Sequence, residues 1–224
     1  MTLIKICGIT RPEDARAAVI AGADWLGLNF WPGSKRHVDR TSAARVARAA
    51  RRAAAEAART VTVVGVYVNQ AAAEMASIAG DIGLDRIQLH GDESAELCAR
   101  MAGEGLAVIK ALAMAEPADV ARIAHYPCDV FLIDTPSTGY GGSGRTFDWD
   151  LARTAVAQAD RLGRHIILAG GLDPHNVANA VAGVRPYGVD VASGVESAPG
   201  IKDPEKIRAF IAQARAVAGP AGPD

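Results

Sequence analysis

Two side chains able to move protons stand at the ends of apolar runs. Cys7 closes Leu3-Ile4-Lys5-Ile6-Cys7, and Asp134 closes Val130-Phe131-Leu132-Ile133-Asp134. A carboxylate ending so apolar a run is costly to bury unless it is paired or put to use. A free thiol in the same place is either a small buried hydrophobe or, as its thiolate, a base. Lys5 lies two residues before Cys7, on the same strand face, and is expected to lower the thiol pKa. His90 ends Arg86-Ile87-Gln88-Leu89 in a similar way, with structural hydrogen bonding and chemistry equally open to it. Cys98 and Cys128 read as structural, and His125, His165 and His175 carry no role.

A second group of residues suits anions. Gly170-Gly171 and Ser193-Gly194 each follow an apolar run, and Asp173-Pro174 follows the first pair. Glycines let backbone N–H groups approach a phosphate, and a helix N-terminus adds a favourable dipole. Neither turn contains Lys or Arg, so amides and helix dipoles are expected to carry the charge alone. Arg36, beside Lys35 in a loop made partly rigid by Pro32 and Gly33, can grip a carboxylate through two parallel hydrogen bonds. The chemistry implied is acid–base work by Cys and Asp on a small, phosphorylated, doubly anionic molecule.

These residues need a frame. Apolar runs rich in Val, Ile and Leu begin near residues 3, 25, 61, 86, 107, 130, 165 and 188. Most lack strict alternation, as strands covered on both faces of a parallel sheet do. Helical patterns lie between them. Thr41–Ala58 is rich in Ala and Arg, and Ile207, Phe210, Ile211 and Ala214 make an i, i+3, i+4, i+7 stripe. Thr10 with Glu13 reads as a capping box, while Asp173-Pro174 and Asp203-Pro204 read as caps before a first-turn proline. Eight strand–helix units specify an α/β fold, a single-domain (β/α)8 TIM barrel over residues 1–218, with 219–224 a flexible tail. An open doubly wound sheet is disfavoured because the first turn, Cys7-Gly8-Ile9-Thr10, lacks G-x-G-x-x-G. The two longest units open with WPGSKRHVDR and DTPSTGYGGSGRTF, loops on the face where barrel enzymes build their sites.

Composition bounds the rest. Half of the 224 residues are hydrophobic and 22% are charged, with 24 basic against 25 acidic side chains, so the chain folds. A net charge of −1 argues against nucleic-acid binding. No apolar run of about 18 residues is present, so no membrane partner is expected. Three scattered cysteines fit neither a disulfide framework nor zinc spacing, which points to a cytoplasmic protein without a metal.

In order along the chain stand KICGIT at 5–10, PGSKR at 32–36, GVYVN at 65–69, QLHGDE at 88–93, IKA at 109–111 and LIDT at 132–135. YGGSGRTFDW at 140–149, LAGGLDPHNV at 168–177 and DVASGVE at 190–196 follow. Together these resemble phosphoribosylanthranilate isomerase, the barrel enzyme of tryptophan biosynthesis, over almost the whole chain. The resemblance implies an Amadori rearrangement of N-(5-phosphoribosyl)anthranilate to 1-(2-carboxyphenylamino)-1-deoxyribulose 5-phosphate. Cys7 would be the general base and Asp134 the general acid. Arg36 would hold the anthranilate carboxylate, the turns at Gly170-Gly171 and Ser193-Gly194 the phosphate, and His90 would line the substrate. No cofactor is implied, because opening of the sugar ring itself generates the imine that acidifies the neighbouring C–H. A monomer or weak homodimer is expected. A sister phosphosugar barrel enzyme, or a non-catalytic phosphosugar-binding barrel, would share the glycine turns but lack the Cys7/Asp134 pair.

Overall fold

A computed structural model describes residues 1–135 and 148–217. Most of the loop after the sixth strand, including the YGGSGRTF stretch, and the 219–224 tail lie outside the described residues. Eight parallel strands close into one barrel in chain order. They are β1 (Leu3–Cys7), β2 (Trp25–Asn29), β3 (Thr62–Tyr67), β4 (Arg86–Leu89), β5 (Ala107–Ala113), β6 (Val130–Asp134), β7 (His165–Leu168) and β8 (Gly188–Val191). Every expected strand start is met to within one residue.

Eight helices alternate with them: α1 (Pro12–Ala21), α2 (Arg40–Glu56), α3 (Ala72–Ile82), α4 (Ala95–Gly103), α5 (Arg122–His125), α6 (Trp149–Arg161), α7 (Val177–Val184) and α8 (Pro204–Ala216). The helices cover the outside of the sheet, and burying both faces of the strands is what makes their sequences near-continuously apolar. In α2 it is alanines, with Val46, that face the core, which explains how so arginine-rich a segment packs. Ile207, Phe210, Ile211 and Ala214 of α8 are all buried, and full burial of each of the larger three contributes about 1.5–3 kcal/mol. No described helix is long and apolar enough to cross a membrane.

Two caps differ from expectation. Thr10 does not cap α1; its hydroxyl donates to the Gly200 carbonyl at 2.5 Å, and Arg11 takes the cap position without a side-chain bond. Asp173 accepts from the His175 and Asn176 amides at 2.7 and 3.1 Å, closing a turn, and α7 starts only at Val177. Asp203 caps α8 as expected, accepting from Glu205 and Lys206. After β8 the chain makes a 3-10 turn (Ser193–Val195) and then a small hairpin, β9 (Glu196–Ala198) with β10 (Ile201–Lys202). The sequence reads there only as a short turn.

The barrel interior is filled by Trp25, Val64, Ile109, Ala111, Val130, Leu132, Ile167 and Ala169. Side chains alternate across a strand, so on β1 Leu3, Lys5 and Cys7 share the inner face. On neighbouring β8, Asp190 pairs in register with Lys5. The polar interior residues sit toward the C-terminal ends of the strands.

Candidate active site

A cavity of about 380 Å³ opens at the C-terminal mouth of the barrel, and its lining includes Cys7, Arg36, Gln88, His90, Asp134 and Asp190. A larger one, about 610 Å³, lies at the other end among Thr2, Val181, Arg185, Tyr187 and Val217. It lacks any thiol, carboxylate or histidine, and in barrels of this kind the N-terminal face serves stability. The mouth is the candidate site.

Cys7 is half-buried at the end of β1, opposite Gly27 of β2. A Cβ at position 27 would stand 2.6 Å from the Cys7 sulfur, so the glycine makes room for the thiol. Beneath it, Lys5 is fully buried, with its ammonium 2.7 Å from Asp190 Oδ1. Burial disfavours that ammonium, but Asp190 and Cys7 outweigh it and hold the Lys5 pKa above its ordinary value. For Cys7, burial dominates and pushes the thiol up. Lys5 and Lys202 pull it down, and Asp190 pushes it up again. The lowering by Lys5 expected from sequence exists, but it loses to desolvation.

Asp134, 9% exposed, faces the cavity from β6. Its Oδ1 accepts from the Thr135 amide at 2.7 Å, which orients the carboxyl, and Oδ2 lies 3.7 Å from His90 Nε2. The other ring nitrogen, Nδ1, is 2.7 Å from Gln88 Nε2. The His90 backbone is anchored from below by a buried ion pair. Lys110 donates to Glu93 at 2.9 Å and to the carbonyls of Leu89 and Gly91 at 3.1 and 2.7 Å. Glu93 in turn accepts from the Gly91 and Asn69 amides. A buried charge pair is tolerated when its remaining hydrogen bonds are also satisfied, as these are.

Arg36 is delivered by a loop that folds back on β2. Val38 donates to Asn29 O at 2.9 Å, and the Ser34 hydroxyl accepts from the Arg36 amide at 3.1 Å. Its guanidinium forms a two-pronged pair with Glu196, Nε to Oε1 at 2.7 Å and Nη2 to Oε2 at 2.8 Å. These bonds raise the Arg36 pKa further and hold the Glu196 carboxyl below its ordinary value against the opposing effect of burial. Lys35 is exposed.

The two glycine turns lie against each other. Gly170 and Gly171 adopt φ +85° and +63°, which side-chain-bearing residues rarely do. A Cβ on Gly194 would run into the Leu172 carbonyl oxygen and stand 3.0 Å from Asp173 Cα. The Ser193 side of this pair is not as uncharged as its sequence implies. Lys202, 2% exposed, donates to Ala192 O at 2.8 Å, immediately before Ser193. Among the described residues, no group of His, Cys, Asp and Glu could hold a metal ion.

The profile of the family described as N-(5'-phosphoribosyl)anthranilate (PRA) isomerase matches residues 4–213. This chain belongs to that family. It is 48% identical over 218 residues to N-(5'-phosphoribosyl)anthranilate isomerase of Myxococcus xanthus, covering 96% of each chain. It is also similar to the solved phosphoribosyl anthranilate isomerase of Thermotoga maritima, at 40% identity and TM-score 0.84, covering 96% of this chain and 100% of that one. A further relative was solved with reduced 1-(o-carboxyphenylamino)-1-deoxyribulose 5-phosphate, and matches at 37% identity and TM-score 0.82 over 96% and 100%.

Within this family member, Cys7, Arg36, His90 and Asp134 come together around one cavity. Gly170-Gly171 and Ser193-Gly194 form adjoining turns after β7 and β8, although neither pair lines that cavity's walls. Sequence reasoning missed Gly27, Gln88, Glu93, Lys110, Asp190, Glu196 and Lys202. For Lys110 and Asp190 a signal was present: a charge inside an otherwise apolar strand, whether on its outer face like Lys110 or its inner face like Asp190, must find a partner. Glu196 and Lys202 carried none, because their hairpin reads as a turn.

Proposed function

We propose that this chain catalyses the family's Amadori rearrangement with Cys7 as general base and Asp134 as general acid. The placement of thiol and carboxyl at the ends of two separate strands lining one cavity, β1 and β6, is the observation that carries the reading. Asp134 gives its proton to the furanose ring oxygen of N-(5-phosphoribosyl)anthranilate. The C1'–O bond breaks, and the anilino nitrogen supplies its lone pair to form the imine. The Cys7 thiolate then takes the C2' proton. The resulting enaminol returns to the ketone as C1' gains a proton and the C2' hydroxyl loses one, giving 1-(2-carboxyphenylamino)-1-deoxyribulose 5-phosphate with no net gain or loss of atoms. Cys7 releases a proton to solvent as Asp134 regains one.

Arg36 holds the anthranilate carboxylate, the turns at 170–171 and 193–194 hold the phosphate, and His90 lines the sugar beside Asp134. Every group in this scheme comes from a single chain, consistent with a monomer or weak homodimer built as one barrel over residues 1–218 with a short tail. A cytoplasmic location suits free cysteines.

The purified chain should consume N-(5-phosphoribosyl)anthranilate, followed as loss of anthranilate-type fluorescence. Cys7→Ala and Asp134→Asn should each lower kcat by at least ~10²-fold, the lower scale of general acid–base effects. A kcat within threefold of the parent for either variant removes that residue from the mechanism.

A further inference from the structure

A buried carboxylate that nothing in the acid–base scheme uses stands between the two anion sites. Glu196 is 8% exposed and follows directly on the Ser193–Val195 turn. Its Oε1 accepts from Arg36 Nε at 2.7 Å, from Lys202 Nζ at 2.9 Å and from the Gly200 amide at 3.3 Å. Its Oε2 accepts from Arg36 Nη2 at 2.8 Å. Lys202 is in turn bonded to Ala192 O, and Lys206 Nζ donates to the Glu196 carbonyl at 2.8 Å. One side chain therefore ties the loop after β2 to the turn after β8.

A guanidinium has five N–H donors in a fixed plane. Glu196 takes the Nε/Nη2 edge, and among the described residues nothing engages the Nη1/Nη2 edge, which is the second fork able to meet a carboxylate in two-pronged fashion. Without Glu196, four rotatable bonds would let Arg36 sample many positions, and the cost of ordering it would fall on the ligand. We propose that Glu196 is a positioning residue that sets substrate specificity: it fixes Arg36 so that one fork faces the substrate carboxylate at a set distance from the phosphate turn. This rests on the role given to Arg36 above.

A double-variant cycle on the full chain tests it, with KM and kcat for N-(5-phosphoribosyl)anthranilate as readouts. Glu196→Gln keeps the shape but turns one acceptor into a donor facing Arg36. It should raise KM at least tenfold and lower kcat less than threefold. Added to Arg36→Ala, it should raise KM by less than twofold more, since its target is gone. If Glu196→Gln does not fold, Glu196→Asp, which keeps the charge for Lys202 but is too short to meet both Arg36 nitrogens, should give the same split. A silent Glu196 variant beside a damaging Arg36→Ala overturns this proposal alone, as do effects that multiply in the double variant. A silent Arg36→Ala overturns the reading of Arg36, and this proposal falls with it.

Discussion

Gly170 offers a perturbation whose size follows from the structure. Its φ is +85°, and that of Gly105, before β5 at the opposite end of the barrel, is +86°. A side chain in the left-handed region costs roughly 1–2 kcal/mol, so alanine at either position carries the same backbone penalty. The surroundings differ. A Cβ at Gly105 meets nothing within 4 Å, whereas at Gly170 it runs into Thr135 Oγ1 and stands 3.1 Å from both the Thr135 amide nitrogen and Asp134 Oδ1. Crowding of that kind adds about 1–3 kcal/mol. For a chain of this size each kcal/mol lowers Tm by about 2–4 °C, so Gly105→Ala should lose about 2–8 °C and Gly170→Ala at least about 2 °C more. Catalysis should separate the two more sharply. The Thr135 amide orients the Asp134 carboxyl, and a displacement on the order of 1 Å at a reacting group can cost ~10²-fold. Gly170→Ala should therefore lower kcat about 10- to 100-fold, while Gly105→Ala keeps the parent rate. Thermal melts and the fluorescence assay measure both. Equal Tm losses, together with a Gly170→Ala kcat within twofold of the parent, would refute the claim that this glycine protects the acid.

Further outcomes follow from the charges at the mouth. Lys5 lowers the Cys7 pKa more than Asp190 raises it, so removing both should move the rising limb of kcat/KM against pH to higher pH. The double variant Lys5→Met/Asp190→Asn is the one to use, because Lys5→Met alone strands a buried carboxylate at a cost of about 3–5 kcal/mol. A limb that stays put or moves down would remove Lys5 from the activation of Cys7. Arg36→Lys should leave KM well above the parent value, since a point charge does not reproduce a two-pronged fork. Full recovery would show that only net charge is read at that position.

The barrel was legible because its cause is local. Eight apolar runs separated by helical patterns allow few closed arrangements, and each run began where its strand begins. The convergence of Cys7, Asp134 and His90 was legible for the same reason: Cys7 and Asp134 end strands, His90 follows directly on β4, and strand ends in a barrel converge. What escaped the sequence is what only three-dimensional neighbours define. Gly27 matters because β2 sets it against Cys7 in register, and Gln88 because His90 turns back over it. Thr10 with Glu13 satisfied the pattern of a capping box, yet Gly200, 190 residues away in sequence, captures the threonine hydroxyl. Local capping lost to a tertiary hydrogen bond.

The two anionic groups of the proposed substrate would be held differently. The turns at 170–171 and 193–194 contain no cation, so amides and dipoles looked sufficient for the phosphate. Yet the mouth contains three buried or half-buried cations, Lys5, Lys202 and Arg36, beside three acidic side chains, Asp190, Glu196 and Asp134. The pairing shows where positive charge is in local excess. Lys5 is matched by Asp190, and Glu196 is shared between Lys202 and Arg36. The excess is thus spread between the second fork of Arg36 and the ammonium behind Ser193, which are the two places where the proposed substrate carries negative charge. A phosphate at the glycine turns would sit in the field of Lys202 without touching it, and the carboxylate would meet Arg36 directly. Coulomb attraction is weak at distance in water but several-fold stronger near a low-dielectric wall, so a buried cation contributes to binding even without contact. On the proposed assignment, the glycine turns would shape the phosphate site and part of its charge would come from a hairpin that sequence patterns do not reveal.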